Sequence, residues 1–102
     1  MSVPVEVGVS YESDLKKVER VTLEVAAHLQ KTSAAAVPTF APAVRFHTLG
    51  ELGIKLTVVL RAKDVTEQSA LKHDFIKLLH ECYHKEGIEI PFPQRPLQMQ
   101  PK

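Results

Sequence analysis

Residues 44–62 read VRFHTLGELGIKLTVVLRA, and this stretch decides the fold. Apolar residues recur at every second position on both sides of the GELG segment at residues 50–53, the period that places one face of a β-strand in a core. Two such runs joined by a glycine-containing turn predict a β-hairpin with strands near residues 43–49 and 54–63. The alternate positions of the second run, such as Lys55 and Arg61, predict a second sheet face that is partly exposed to solvent.

The sequence before the hairpin predicts one strand and one helix. Valine occupies every second position from Val3 to Val9, which predicts a strand over residues 3–11. Ser13 is the expected N-cap of a helix over residues 14–30, because its hydroxyl can accept from a free backbone N–H group. The apolar stripe of this helix comprises Leu15, Val18, Thr22, Val25, Ala26 and Leu29. The prolines at positions 38 and 42 predict a loop over residues 32–42.

The sequence after the hairpin predicts a second helix over residues 66–86, which ends at Gly87. A short strand is expected at residues 88–90, at a sheet edge because Pro91 and Pro93 limit its pairing. The order strand, helix, strand, strand, helix, strand is that of the ferredoxin-like split βαβ fold. We therefore predict an α+β sandwich, with an antiparallel-rich sheet and two helices on one face. The expected domain spans residues 1–96 and is followed by a tail at residues 97–102.

Composition restricts the function classes. The chain is 44% hydrophobic and 25% charged, which predicts a globular domain. With 13 Lys and Arg against 12 Asp and Glu, it lacks the excess of positive charge expected of a nucleic-acid partner. The lone Cys82 predicts a reducing compartment, and its place on an apolar helix face predicts a small buried side chain. No run of about 18 apolar residues occurs, so any membrane contact is expected through segments absent from this chain.

The most specific local motif is HECYH at residues 80–84, which fits the zinc-peptidase pattern H-E-x-x-H. Such enzymes need a third zinc ligand from downstream, and the corresponding position of the extended motif is Ile90. Helical phase also turns His73, His80 and His84 away from the apolar stripe of the helix. That stripe is expected to comprise Leu71, Phe75, Leu78, Leu79 and Cys82. We therefore predict solvent-facing histidines that form no structural zinc site, and no cofactor or catalytic residue. The alternatives are a polar stripe that binds nickel or zinc adventitiously and, less favoured, a zinc peptidase.

Two stretches carry a resemblance to a known family. Residues 7–14 read VGVSYESD and resemble the VGVSYDSD-like start of the C-terminal domain of small-conductance mechanosensitive ion channels. Residues 87–94 read GIEIPFPQ and are similar to the GIxIPFPQ close of that domain, the more specific of the two matches. Between them, residues 42–46 and 48–50 stand in the expected order and spacing, so the resemblance covers nearly the whole chain.

The resemblance implies a non-enzymatic cage and assembly domain on the cytoplasmic side of the inner membrane. It implies a channel that releases ions and small osmolytes on hypo-osmotic shock and self-associates as a heptamer, whose last strands form a small parallel barrel. The resemblance, together with the alternation of residues 97–100, implies that assembly involves Pro91, Phe92, Pro93, Gln94, Leu97 and Met99. The alternative function is a stand-alone ferredoxin-like module that binds a small molecule or a protein edge.

Overall fold

The computed structural model describes residues 2–90. The elements are β1 (Ser2–Val9), α1 (Leu15–Thr32), β2 (Ala43–Leu49), β3 (Ile54–Arg61), a short 3-10 turn (Val65–Glu67) and α2 (Gln68–Glu86). The predicted order is confirmed from the first strand to the second helix, and β2 has the predicted bounds. The other boundaries differ from the predicted ones by a few residues.

The three strands form one sheet in the order β1-β3-β2, with both pairs antiparallel. Val58 of the central strand lies between Val5 of β1 and Val44 of β2. The register between β2 and β3 shifts by one residue between Phe46 and Thr48, a β-bulge in an edge strand. This topology confirms the predicted α+β, ferredoxin-like class. The prediction came from the alternation along the chain between the strand period of about two residues and the helix period of about 3.6 residues.

One face of the sheet is buried beneath the helices. The side chains of Ile54, Leu56, Val58 and Leu60 are buried along β3, whereas Lys55 and Arg61 on the opposite face are exposed. The buried residues of both helices belong to the same core cluster as these strand residues, so the helices share one side of the sheet. Full burial of each such aliphatic side chain stabilises the fold by about 1.5–3 kcal/mol.

The core stripe of α2 differs from the predicted one. Its buried residues are Leu71, Phe75, Leu79 and Tyr83, one at each fourth position, while Leu78 and Cys82 are only half-buried at the margin of the core. The prediction of a buried Cys82 was therefore wrong. The larger Tyr83 ring takes the core position instead, because it removes more apolar surface from water than a thiol does.

The loop between α1 and β2 is tied to the end of β3. Gln30 is only 1% exposed, and its amide nitrogen donates to the carbonyl oxygens of Val37 at 2.8 Å and Arg61 at 2.7 Å. Its amide oxygen accepts from the backbone N–H of Arg61 at 3.3 Å. Beside it, Ala36 and Ala62 form an isolated antiparallel bridge. The predicted loop is therefore partly buried and held by backbone and side-chain hydrogen bonds.

The strand predicted at residues 88–90 does not form. This segment contributes a single backbone hydrogen bond to the end of β1, from the N–H of Ser10 to the carbonyl of Glu89 at 3.0 Å. The next residue in the sequence, Pro91, has no N–H group and therefore cannot donate to a ladder that continues past Ile90.

Helix α1 begins one residue later than predicted. The N-cap is Asp14 and not Ser13, because the Asp14 carboxylate accepts from the backbone N–H groups of Lys16 at 3.1 Å and Lys17 at 3.5 Å. Ser13 instead donates its backbone N–H to the carbonyl of Ser10 in the preceding turn, at 3.0 Å. Both residue types cap helices well, so sequence preference alone did not separate them.

Replacing Asp14 by alanine should lower the free energy of unfolding by about 1 kcal/mol, because two N–H groups of the first turn lose their acceptor. The matched control is Ser13→Ala, which should cost much less because the Ser13 hydroxyl caps nothing. Urea denaturation of the two variants measures the difference. A larger loss in Ser13→Ala than in Asp14→Ala would contradict the assignment of the cap.

Candidate functional site

The residues predicted to serve assembly, Pro91 to Gln94 together with Leu97 and Met99, lie outside the described residues. The structure does show where the chain leads into them. Helix α2 ends at Gly87, whose φ of 74° is left-handed and suits glycine. The N–H of Ile88 then donates to the carbonyl of Tyr83 at 2.9 Å, and the carbonyl of Glu89 accepts from Ser10. The route toward the predicted assembly residues is thus held against both α2 and β1.

An ion pair fixes the same end of α2 to α1. The Lys17 ammonium donates to the carbonyl of Glu86 at 2.8 Å and lies 3.6 Å from the Glu86 carboxylate. Both side chains are more than a third exposed, so the charge attraction itself adds little stability. The contact nevertheless satisfies one of the free carbonyls at the helix C-terminus with a cation, which favours the helix dipole.

The tip of the hairpin is joined to the segment after β1, which also bonds Glu89. The hydroxyl of Tyr11 donates to the carbonyl of Gly50, which connects the segment after β1 to the β2–β3 turn. Four exposed apolar residues belong to the segments that these hydrogen bonds join, and we call them the hairpin end: Tyr11, Leu49, Leu52 and Ile90. Leu49 is 77% exposed although it pairs with the buried Ile54, because the core does not extend beneath the end of this edge strand. A cavity of about 420 Å³ opens beside the turn, lined by Gly8, Lys55 and residues 50–53.

The helix-free face of the sheet carries more positive than negative charge. Arg45, Lys55 and Arg61 are exposed on this face, and the Arg61 guanidinium lies 5.4 Å from the centre of the Phe40 ring. Glu6 is paired across the sheet with His47, at 3.5 Å from its Nε2 atom. The face is therefore a polar, partly exposed surface, as the alternating pattern of β3 predicted.

The histidines of α2 occupy the positions that helical phase predicted. His73, His80 and His84 are all exposed, which confirms that they face solvent. Glu81 is also exposed, so the HECYH motif lies on the surface of the helix and not in a shielded cleft. Among residues 2–90, no group of three or more His, Cys, Asp or Glu side chains is placed to hold a metal ion. This arrangement does not supply the ligand set or the cleft of a zinc peptidase.

Within the described part of the chain, the two groups with a shifted pKa, Tyr83 and Asp64, are structural. Burial raises the pKa of the Tyr83 hydroxyl, and a hydrogen bond with Thr22 opposes that shift. The hydroxyl of Thr66 and two backbone N–H groups lower the pKa of Asp64, which caps the short turn before α2. Neither group faces a cleft with a partner for acid–base chemistry, so these shifts do not indicate a catalytic site.

A comparison with protein families identifies the domain. The model described as the mechanosensitive ion channel MscS, C-terminal, matches residues 3–90. The chain belongs to this family. The match covers almost every residue of the described helices and strands and confirms the resemblance found in the sequence. A search of curated proteins found no match.

Membership of the MscS C-terminal family places the chain among domains of mechanosensitive channels, a class associated with channels and not with catalysis. Neither helix within residues 2–90 has the length and apolar character needed to cross a bilayer.

Sequence reasoning missed two buried polar residues of this MscS domain, Gln30 and Tyr83. Both had a local signal. Tyr83 continues the four-residue spacing of Leu71, Phe75 and Leu79. Gln30 continues the four-residue spacing of Val18, Thr22 and Ala26, although no sequence pattern identified its hydrogen-bond partners, Val37 and Arg61.

Proposed function

We propose that this MscS C-terminal domain forms part of the cytoplasmic cage of a small-conductance mechanosensitive channel. The channel would release ions and small osmolytes on hypo-osmotic shock from the cytoplasmic side of the inner membrane. The observation that carries the proposal is the family match across residues 3–90. In this role the domain has no catalytic residue, and it acts through assembly.

We further propose that Pro91, Phe92, Pro93, Gln94, Leu97 and Met99 join the subunits, in a heptamer, and that the remainder of the domain folds without them. The exposed apolar hairpin end supports this, because it lies where the chain passes Ile90 toward these residues. Exposed apolar side chains grouped on one surface are typical of protein interfaces. A strand in this tail would satisfy its free backbone groups by pairing with copies of itself around a symmetry axis.

Ending the chain after Gln94 tests the assembly role. In the channel polypeptide that carries this domain, the cut should weaken the oligomer, measured as the native mass of the purified channel. The same cut in the 102-residue chain should hardly change its melting temperature, because the core described above is made within residues 2–90. Unfolding of the shortened chain, or a shortened channel that assembles as tightly as the intact one, would contradict the assembly role.

Point substitutions sharpen this experiment. Leu97→Ser with Met99→Ser removes the apolar positions of the alternating tail, and Gln98→Ser with Gln100→Ser is the matched control on the other positions. Only the first pair should weaken assembly and reduce survival of osmotic down-shock in cells without other mechanosensitive channels. If neither double variant changes down-shock survival or the native mass of the channel, the result would instead favour the stand-alone binding module.

A further inference from the structure

The last turns of α2 carry two histidines that have no partner among the described residues. His80 and His84 are exposed, and within residues 2–90 neither ring makes a hydrogen bond or ion pair. By contrast, the ring of His47 on the sheet bonds Thr48 at 2.7 Å and pairs with Glu6. The imidazole nitrogens of His80 and His84 are therefore available to a ligand from solvent.

Helical geometry places these two side chains next to each other on one face of α2. Helix α2 is continuous from Gln68 to Glu86, and residues four apart on a helix have Cβ atoms about 5–6 Å apart on the same face. Zinc–nitrogen bonds are about 2.0–2.1 Å long, so rings that lean toward each other from this spacing can bind one ion together. His80 and His84 thus have the spacing of a two-ligand chelate.

No other histidine of α2 extends this pair. His73 precedes His80 by seven residues, about 10.5 Å along the helix axis, which is too far for it to share an ion with both. Lys77 and Lys85 flank the pair, and Glu81 provides the nearest negative charge on the same helix. A cation bound in the last turns is also favoured by the helix dipole, since the C-terminus carries partial negative charge.

We propose that His80 and His84 form a reversible two-ligand site for one divalent transition metal ion of the class that prefers imidazole, namely Zn²⁺, Ni²⁺ or Cu²⁺. Water completes the coordination shell. The two rings meet only when residues 80–84 are helical, so the ion binds the folded chain in preference to the unfolded one. Metal binding consequently stabilises the end of α2, including the core residue Tyr83 between the two ligands.

The test titrates Ni²⁺ into the 102-residue chain, with affinity measured by calorimetry and melting temperature by circular dichroism. We expect one ion per chain and a melting temperature that rises with Ni²⁺ but not with Mg²⁺, which prefers oxygen ligands. His80→Ala or His84→Ala should each lower the affinity roughly 10- to 100-fold, because the second contact is then no longer intramolecular. Without metal, both variants should melt close to the parent chain, since the two rings are exposed.

Two matched variants separate a specific chelate from general histidine affinity. His73→Ala removes an exposed histidine of the same helix and should leave Ni²⁺ binding unchanged. The double change His84→Ala with Lys85→His keeps the number of histidines but turns the second ring by about 100°, so binding should fall as far as in His84→Ala. Equal affinity in this shifted variant, or an equal loss in His73→Ala, would overturn the proposal.

Discussion

Replacing Gln30 by glutamate is expected to destabilise the domain by about 3–5 kcal/mol at neutral pH, the cost of a buried charge without a partner. Gln30 is 1% exposed, and its amide nitrogen donates to the carbonyls of Val37 and Arg61. A glutamate of the same shape would face these two oxygens with a negative charge and no donor. Chemical denaturation monitored by circular dichroism measures the loss.

The pH dependence identifies charge as the cause. Burial raises the pKa of a carboxyl group above its ordinary value of about 4.3. At pH values below that ordinary value the side chain is neutral in both states, and the penalty from ionisation is absent. The penalty then grows as the pH rises toward the pKa of the folded state and is complete above it. The Gln30→Glu variant should therefore recover stability, relative to the parent chain, as the pH is lowered toward 4.

The control is Gln30→Met, which has a similar length and no charge. It should cost about 1–3 kcal/mol, without the pH dependence, because the amide hydrogen bonds are lost. The loss is limited because both carbonyls keep a backbone donor, Phe40 for Val37 and Val37 for Arg61, each at 3.1 Å. Equal, pH-independent stability of the Glu and Met variants would show that the Gln30 amide does not face these oxygens in the folded domain.

Tyr83→Phe is expected to cost about 1–3 kcal/mol, because the buried Thr22 hydroxyl loses its partner. The two hydroxyl oxygens are 2.5 Å apart and join α1 to α2 across 61 residues of sequence. In the double variant with Thr22→Val both polar groups are absent, so it should be more stable than the sum of the single changes predicts. Tyr11→Phe is the control, since that hydroxyl bonds Gly50 in an exposed setting. A Tyr83→Phe cost no greater than that of Tyr11→Phe would argue against the buried pair.

High pH offers a second measurement on the same pair. Burial raises the pKa of Tyr83 above the ordinary value of 10.0. The stability that depends on its neutral hydroxyl is fully present below that ordinary value and is lost as the pH rises through the pKa of the folded state. The difference in unfolding free energy between the parent chain and Tyr83→Phe should therefore shrink above pH 10. A difference that stays constant to pH 11 would mean that Tyr83 ionises equally easily in both states.

The agreement between sequence and structure is closest where burial follows a local period. Alternation along residues 54–60 correctly predicted which side chains of β3 lie in the core, and Gly87 correctly predicted the end of α2. The strand and helix periods of about two and 3.6 residues can be recognised within a short stretch of sequence. The backbone freedom of Gly87 is likewise a property of that residue alone, so neither signal depends on distant contacts. The exposure of His80 and His84 followed from the same helical phase.

The errors arose where distant parts of the chain compete for one position. Tyr83 continues the buried stripe of α2, but its polar hydroxyl is accommodated in the core through a bond with Thr22 of α1, which no pattern within α2 shows. The predicted strand at residues 88–90 had the composition of a strand, but its single hydrogen bond to β1 was decided by the position of Ser10. Neither partner is a neighbour in sequence, so no local pattern identifies it.

The candidate site also combines features specified by local sequence with features decided by long-range contacts. Motifs at residues 7–14 and 87–94 pointed to the family that the match over residues 3–90 shows, because a motif is recognised from residue order and needs no knowledge of contacts. The gathering of Tyr11, Leu52 and Ile90 at the hairpin end became visible only in the folded chain, where hydrogen bonds from Ser10 and Tyr11 bring three separate segments together. Residue chemistry and period specify each element, whereas long-range packing and hydrogen bonding decide which surfaces those elements share.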